Sequence, residues 1–88
     1  MLTAAAKQLA IQPYQKSPQD CGSTEVQIAL LTARIRDLQR HFKQNSKDLH
    51  SLRGMLKLVA TRRRLLKYLL RKDINGYREL IKALDIRD

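Results

Sequence analysis

The chain has 88 residues and carries 18 Lys and Arg against 8 Asp and Glu, a net charge of +10. At this length it forms one domain that buries only about 60–65% of its unfolded surface, which leaves little room for an enclosed catalytic pocket. A single cysteine, Cys21, excludes an internal disulfide and a cysteine-cluster zinc site. The charge excess calls for a polyanionic partner.

The N-terminal run MLTAAAKQLAIQPYQ has one Lys and no long apolar stretch, so it is read as neither a secretory signal nor a transit sequence. It predicts a short helix from Thr3 to Ile11. Pro13, Pro18 and Gly22 then mark a loop, PYQKSPQDCGS. Residues 1–20 hold few large apolar side chains, so this segment is expected to be a weakly anchored helix and hinge, with 23–88 as the core.

The second helix is expected to start at Ser23 or Thr24, where Thr24-x-x-Gln27 fits a capping box and Glu25 suits the helix dipole. Ile28, Leu31, Ile35, Leu38 and Phe42 recur at spacings of three and four, an apolar seam that ends near Lys43. The polar break QNSKDLHS offers Asp48 and Ser51 as caps for a third helix. That helix should run from about His50 to Arg71. Leu52, Met55, Leu56, Leu58, Val59, Leu65, Leu66, Leu69 and Leu70 share one half of its wheel. Arg62 and Arg63 also point into this half and are expected at its margin, reaching outward to water. Asp73 can cap a fourth helix with Tyr77, Leu80, Ile81 and Leu84 on its inner face. No strand pattern appears. The reading is an all-α, four-helix domain whose two long helices, joined by a short connection, pair antiparallel.

Residues 46–72 hold nine Lys or Arg and one acid. Arg53, Lys57, Arg64 and Arg71 fall, with Thr61 and Tyr68, in the narrow sector opposite the leucines. An ordinary solvated face would mix signs; this one has no acid, as expected of a surface that neutralises phosphates. Tyr68, turned away from the leucines between Arg64 and Arg71, can stack on a base or bond a phosphate. Gly22, Ser23 and Gln27 lie at the N-terminus of the second helix, where backbone N–H groups make an anion seat. His41, Asp48 and Ser51 gather near the other end of the hairpin. Ser51 with a His and Asp48 could be a hydrolytic triad, and His41, Asp48 and His50 a three-ligand metal site, but on a thin open bundle capping and solvation are the plainer roles. Their mix of donor and acceptor groups also suits base edges and 2′-hydroxyls in the shallow minor groove of paired RNA. Helices of about 20 residues separate the two clusters by about 30 Å.

Two other readings compete. A helix-turn-helix DNA regulator would need a tight turn and a shorter recognition helix. A membrane-surface amphipathic protein would need interfacial aromatics, yet Trp is absent.

The runs CGSTEVQIALLTARI, LQRHF, KDLHSLRGML and RRRLLKYLLRKD resemble small-subunit ribosomal protein fifteen of the bacterial type, from about Gly22 to Arg87. Leu38, His41, Phe42, Asp48, Ser51, Leu65 and Tyr68 carry the match. The resemblance implies a four-helix structural protein, not an enzyme, that needs no cofactor and is a monomer when free. It implies direct, early binding to a three-way junction in the central domain of small-subunit rRNA, nucleation of platform assembly beside neighbouring ribosomal proteins, and a bridge to large-subunit rRNA. In some bacteria such proteins repress their own mRNA. Gly22, Gln27 and Tyr68 correspond to junction contacts supported by Arg64 and Arg71, and His41, Asp48 and Ser51 to a minor-groove contact on a paired stem. The implied location is the cytoplasm, on a bacterial or organellar ribosome, with no membrane. Cys21 stands where the family usually has Thr, which puts one hydroxyl contact in doubt. Asn45 and Leu49 replace frequent His residues, and Met55 replaces Leu or Phe.

Overall fold

The computed structural model describes residues 3–15 and 22–86. Helix α1 spans Ala4–Ile11 and runs into a 3-10 turn, Gln12–Tyr14; α2 spans Thr24–Gln44, α3 Leu49–Lys72 and α4 Ile74–Ala83. The rest of the expected Pro13–Pro18 hinge, and Cys21 with it, lies outside the described residues. No strand occurs among the described residues.

Each helix starts on a side-chain cap. Thr3 Oγ1 accepts from Ala6 N–H at 3.1 Å, Asp48 from Ser51 N–H at 3.1 Å, and Asp73 from Gly76 N–H at 3.0 Å. Asp73 is also the C-cap of α3, its N–H bonded to the Leu69 carbonyl, so one residue closes one helix and opens the next. A Cβ added at Gly76 would come within 2.6 Å of the Asp73 carboxylate, so the capping side chain would have to shift to admit one.

The expected capping box on α2 does not form, because the cap lies one residue earlier. Ser23, in extended conformation, is the cap and accepts from Val26 N–H at 3.4 Å. Gln27 then sits too deep in the helix to bond the cap's N–H. Its amide instead donates to the Gly22 carbonyl at 2.7 Å, which ties the incoming chain to the helix.

α2 and α3 lie antiparallel, with Thr32 opposite Arg62, His41 meeting Asp48 at the connection, and Ser23 near Tyr68 at the other end. The main core sits at the Ser23–Tyr68 end, where α4 folds back. Ile28, Ala29, Leu66, Leu69, Leu80 and Leu84 are buried there, and Tyr14, Leu65, Tyr77, Ile81 and Ile86 pack against them. Burial of each such leucine or isoleucine is worth about 1.5–3 kcal/mol. Of the predicted α2 seam, Ile28 and Ile35 are buried and Leu31, Leu38 and Phe42 are half-buried; Val26, Ala29 and Thr32 share the interior with them.

Two expectations for α3 are corrected. Arg62 does not reach out to water. It is only 9% exposed and its Nη1 donates to Thr32 Oγ1 at 3.4 Å across the helix pair. Thr32 can accept because its own hydroxyl proton goes to the Ile28 carbonyl at 2.8 Å. Leu52, Leu56 and Leu70 are exposed rather than interior. α4 has 10 residues against 24 in α3. It covers only the C-terminal part of α3, leaving Leu52 and Leu56 beyond its reach.

α4 closes with Ile86 N–H on the Ile81 carbonyl at 2.9 Å and Asp85 N–H on the Lys82 carbonyl at 3.4 Å. This pair of bonds puts Asp85 in the left-handed region, φ 53°, a place usually given to glycine. Arg36 reaches from α2 to donate to the Leu84 carbonyl and so fastens the end of α4 to the hairpin. α1 rests on α2 with Ile11 buried, while Leu9 is 70% exposed. With one buried side chain, α1 is expected to exchange its amide protons well before the facing parts of α2 and α3 do. Equal protection of α1 and α2 in native-state exchange would contradict this.

Candidate nucleic-acid interface

The described structure brings His41, Asp48 and Ser51 together. The last turn of α2 supplies the ring, and the first turn of α3 supplies the carboxylate and hydroxyl. His41 Nε2 lies 2.9 Å from Asp48 Oδ2, Ser51 Oγ donates to the same oxygen at 2.7 Å, and Ser51 N–H donates to Oδ1. With Nε2–H turned to the carboxylate, the other ring nitrogen, Nδ1, is an acceptor, and the Asn45 amide lies 3.4 Å from it. Asn45 also donates to the His41 carbonyl at 3.2 Å. The composition of the break revealed Asp48 and Ser51, but Asn45 was missed as a fixing residue; its place four residues after His41 is the signal.

This bonding pattern decides what the cluster can do. Ring and hydroxyl both donate to the carboxylate, and the ring does not touch the hydroxyl. Ser51 therefore lacks the adjacent base that a nucleophile needs. Among the described residues, no three His, Cys, Asp or Glu side chains come together as a metal site. With those protons committed inward, Ser51 Oγ and Asp48 offer lone pairs outward. A cluster of acceptors selects a donor, and the donor in the minor groove of a base-paired stem is the guanine 2-amino group, with 2′-hydroxyls beside it.

The opposite end is built differently. Gly22, Ser23, Thr24 and Glu25 face Tyr68, Leu69, Lys72 and Asp73 across a shallow cleft. Gln27 joins it through its bond to Gly22. Tyr68 is 44% exposed, and Lys72 Nζ sits 5.8 Å from its ring centre. The expected anion seat is thus flanked by two carboxylates, Glu25 and Asp73, as well as by Lys72. Such mixed charge offers acceptors as well as donors, so the cleft can bond ribose hydroxyls and base edges as well as phosphate. Lys72 was not among the expected site residues; its position four after Tyr68 is the sequence signal.

Between the clusters runs the basic stripe. Arg53, Lys57, Arg64 and Arg71 are all exposed. Thr61 steadies Arg64: its hydroxyl donates to the Lys57 carbonyl at 3.0 Å and accepts from Arg64 Nη2 at 3.2 Å. Asp48 and Tyr68 are 20 residues apart along α3, which separates the two polar ends by about 30 Å.

The Asp48 carboxyl is held well below the usual carboxylate range by the Ser51 hydroxyl first, then by His41 and the Ser51 N–H. A depressed folded-state pKa stabilises the fold above the unfolded value of about 4, and that contribution fades as pH falls below it. Asp48→Asn should lower the melting temperature at neutral pH, with the gap to the wild type shrinking below about pH 4. A gap that stays constant through acid titration would contradict this.

A family model described as Ribosomal protein S15 matches residues 6–87. The chain is 59% identical over 86 residues to the small ribosomal subunit protein uS15 of Chromobacterium violaceum, covering 98% of this chain and 97% of that one. It is 59% identical over 87 residues to the protein of that name from Francisella tularensis subsp. tularensis, with 99% of both chains covered. The counterpart in Francisella tularensis subsp. holarctica is 58% identical over the same span. No helix among the described residues is long and apolar enough to cross a membrane. Together with the all-helical fold and the motifs in α2 and α3, these likenesses make the chain a member of the ribosomal protein S15 family, structural and non-enzymatic.

Proposed function

We propose that this chain is a structural constituent of the small ribosomal subunit that binds rRNA at two places with the two ends of its α2–α3 hairpin. The observation that carries the reading is the pairing of two exposed polar clusters, one at each end of a helix with a basic stripe and no acid from 49 to 72. Gly22, Ser23, Gln27 and Tyr68, backed by Arg64 and Arg71, engage a three-way junction in the central domain. His41 and Asn45 hold Asp48 and Ser51 against the minor groove of an adjoining stem, and Arg53 and Lys57 neutralise its phosphates. Family membership and the relatives named uS15 support the ribosomal setting, on the cytoplasmic ribosome. Platform nucleation, the bridge to large-subunit rRNA, contacts with neighbouring proteins and binding to its own mRNA belong to the same proposal and rest on the resemblance.

The junction role is tested with Tyr68→Ala. Loss of one stacked base costs about 1–3 kcal/mol. Affinity for a junction RNA should fall about 5- to 150-fold, and affinity for a plain duplex much less. Equal losses on both RNAs would remove the junction role. The stem role has its own test. Replacing the contacted guanine by inosine deletes the 2-amino group and should weaken binding about tenfold, in line with about 1–3 kcal/mol for a well-made base contact. Scanning the stem with inosine and finding no sensitive position would count against the acceptor cluster.

A further inference from the structure

Nothing in the free protein asks for glycine at position 54. Gly54 is the sixth residue of the 24-residue α3, its φ is not positive, and it is exposed. A Cβ added there would meet nothing within 4 Å. Glycine is the poorest helix former after proline, so the position weakens α3 with no return in packing or backbone geometry. Gly76 shows the contrast, since a Cβ there would press on the capping Asp73 carboxylate at 2.6 Å.

The surroundings of Gly54 are specific. Its neighbours on adjacent turns are His50 and Ser51 on one side and Lys57 and the half-buried Leu58 on the other, with Arg53 and the half-buried Met55 beside it in sequence. His50, Arg53 and Lys57 are exposed. Ser51 is the hydroxyl of the acceptor cluster. Position 54 is therefore a gap in the side-chain cover of α3, one turn from the His41–Asp48–Ser51 cluster and edged on its exposed side by His50, Arg53 and Lys57.

We infer that Gly54 is where a ribose–phosphate strand lies directly against the backbone of α3, the strand bordering the minor groove that Asp48 and Ser51 enter. The missing Cβ lets the strand approach to van der Waals contact with the helix. At that depth its phosphates come within reach of Arg53 and Lys57 while Ser51 reaches a base edge. Any side chain at 54 lifts the strand by at least the depth of a methyl group and lengthens all of these contacts together. The inference rests on the rRNA-binding reading above and adds to it a contact made by the absence of a side chain.

The test uses the full chain with Gly54→Ala and Gly54→Met, measuring melting temperature and affinity for an RNA that joins the junction and the stem, at one fixed salt concentration. Both variants should melt higher than the wild type, since alanine and methionine are better helix formers. Affinity should nevertheless fall about tenfold for Gly54→Ala, the scale of one lost base contact, and further for Gly54→Met. Higher melting with unchanged affinity overturns the inference, and so does lower melting, which would give Gly54 a role in the fold. If wild-type protein binds this RNA no better than a plain duplex, the underlying reading fails. If Tyr68→Ala weakens binding and the Gly54 variants do not, only the Gly54 contact fails.

Discussion

Ile28, Ile35, Leu66 and Leu69 leave water only when α2 and α3 lie antiparallel and in one register, and this pairing places both polar clusters. Thr32 and Arg62 fix the register from within. The Arg62 guanidinium is buried against a hydroxyl whose own proton is spent on the Ile28 carbonyl. Sliding the helices by one turn would strand a buried cation, which is costly. A polar bond thus does what a uniform seam of leucines cannot, since leucines tolerate many offsets.

The two ends of the hairpin are stiffened by different means. At the Ser23–Tyr68 end, α4 folds back and adds Leu80 and Leu84 to the core, and Arg36 fastens its final turn. The His41–Ser51 end lies beyond the reach of α4. Leu52 and Leu56 are exposed there, and the hairpin is held by the half-buried Leu38, Phe42 and Met55 with the hydrogen-bonded group around Asp48. That group serves the fold and the site at once. By capping α3 and bonding His41 in the last turn of α2, Asp48 fixes the orientation of the oxygens that the proposed stem contact would use.

Much of this was legible in the amino-acid sequence. Spacings of three and four gave the helices and most of their boundaries, because a one-faced helix in a thin domain must repeat that way. The basic sector on α3 and the outward Tyr68 followed from angular position alone. What escaped depended on partners. The expected capping box does not form, because Ser23, not Thr24, takes the extended conformation and puts Val26 at the position the Gln would need. Arg62 turned inward because Thr32, thirty residues earlier, offers it an acceptor. Leu52 and Leu56 stayed exposed because α4 is short. Single-helix periodicity says which side is apolar, but not how far along that side a neighbour extends. The directions of the hydrogen bonds at Asp48, which set the cluster as an acceptor, needed coordinates as well.

If the two clusters about 30 Å apart are both RNA contacts, as proposed, the RNA must present two elements at a matching distance. The most direct measurement is affinity for a series of RNAs in which base pairs are added one at a time between the junction and the stem contact. Binding should drop by about the full worth of one cluster as soon as the spacing and helical phase are wrong, and Ser51→Ala should then have no further effect. Affinity that is indifferent to the added base pairs would contradict this two-ended binding and leave the two clusters without a common ligand.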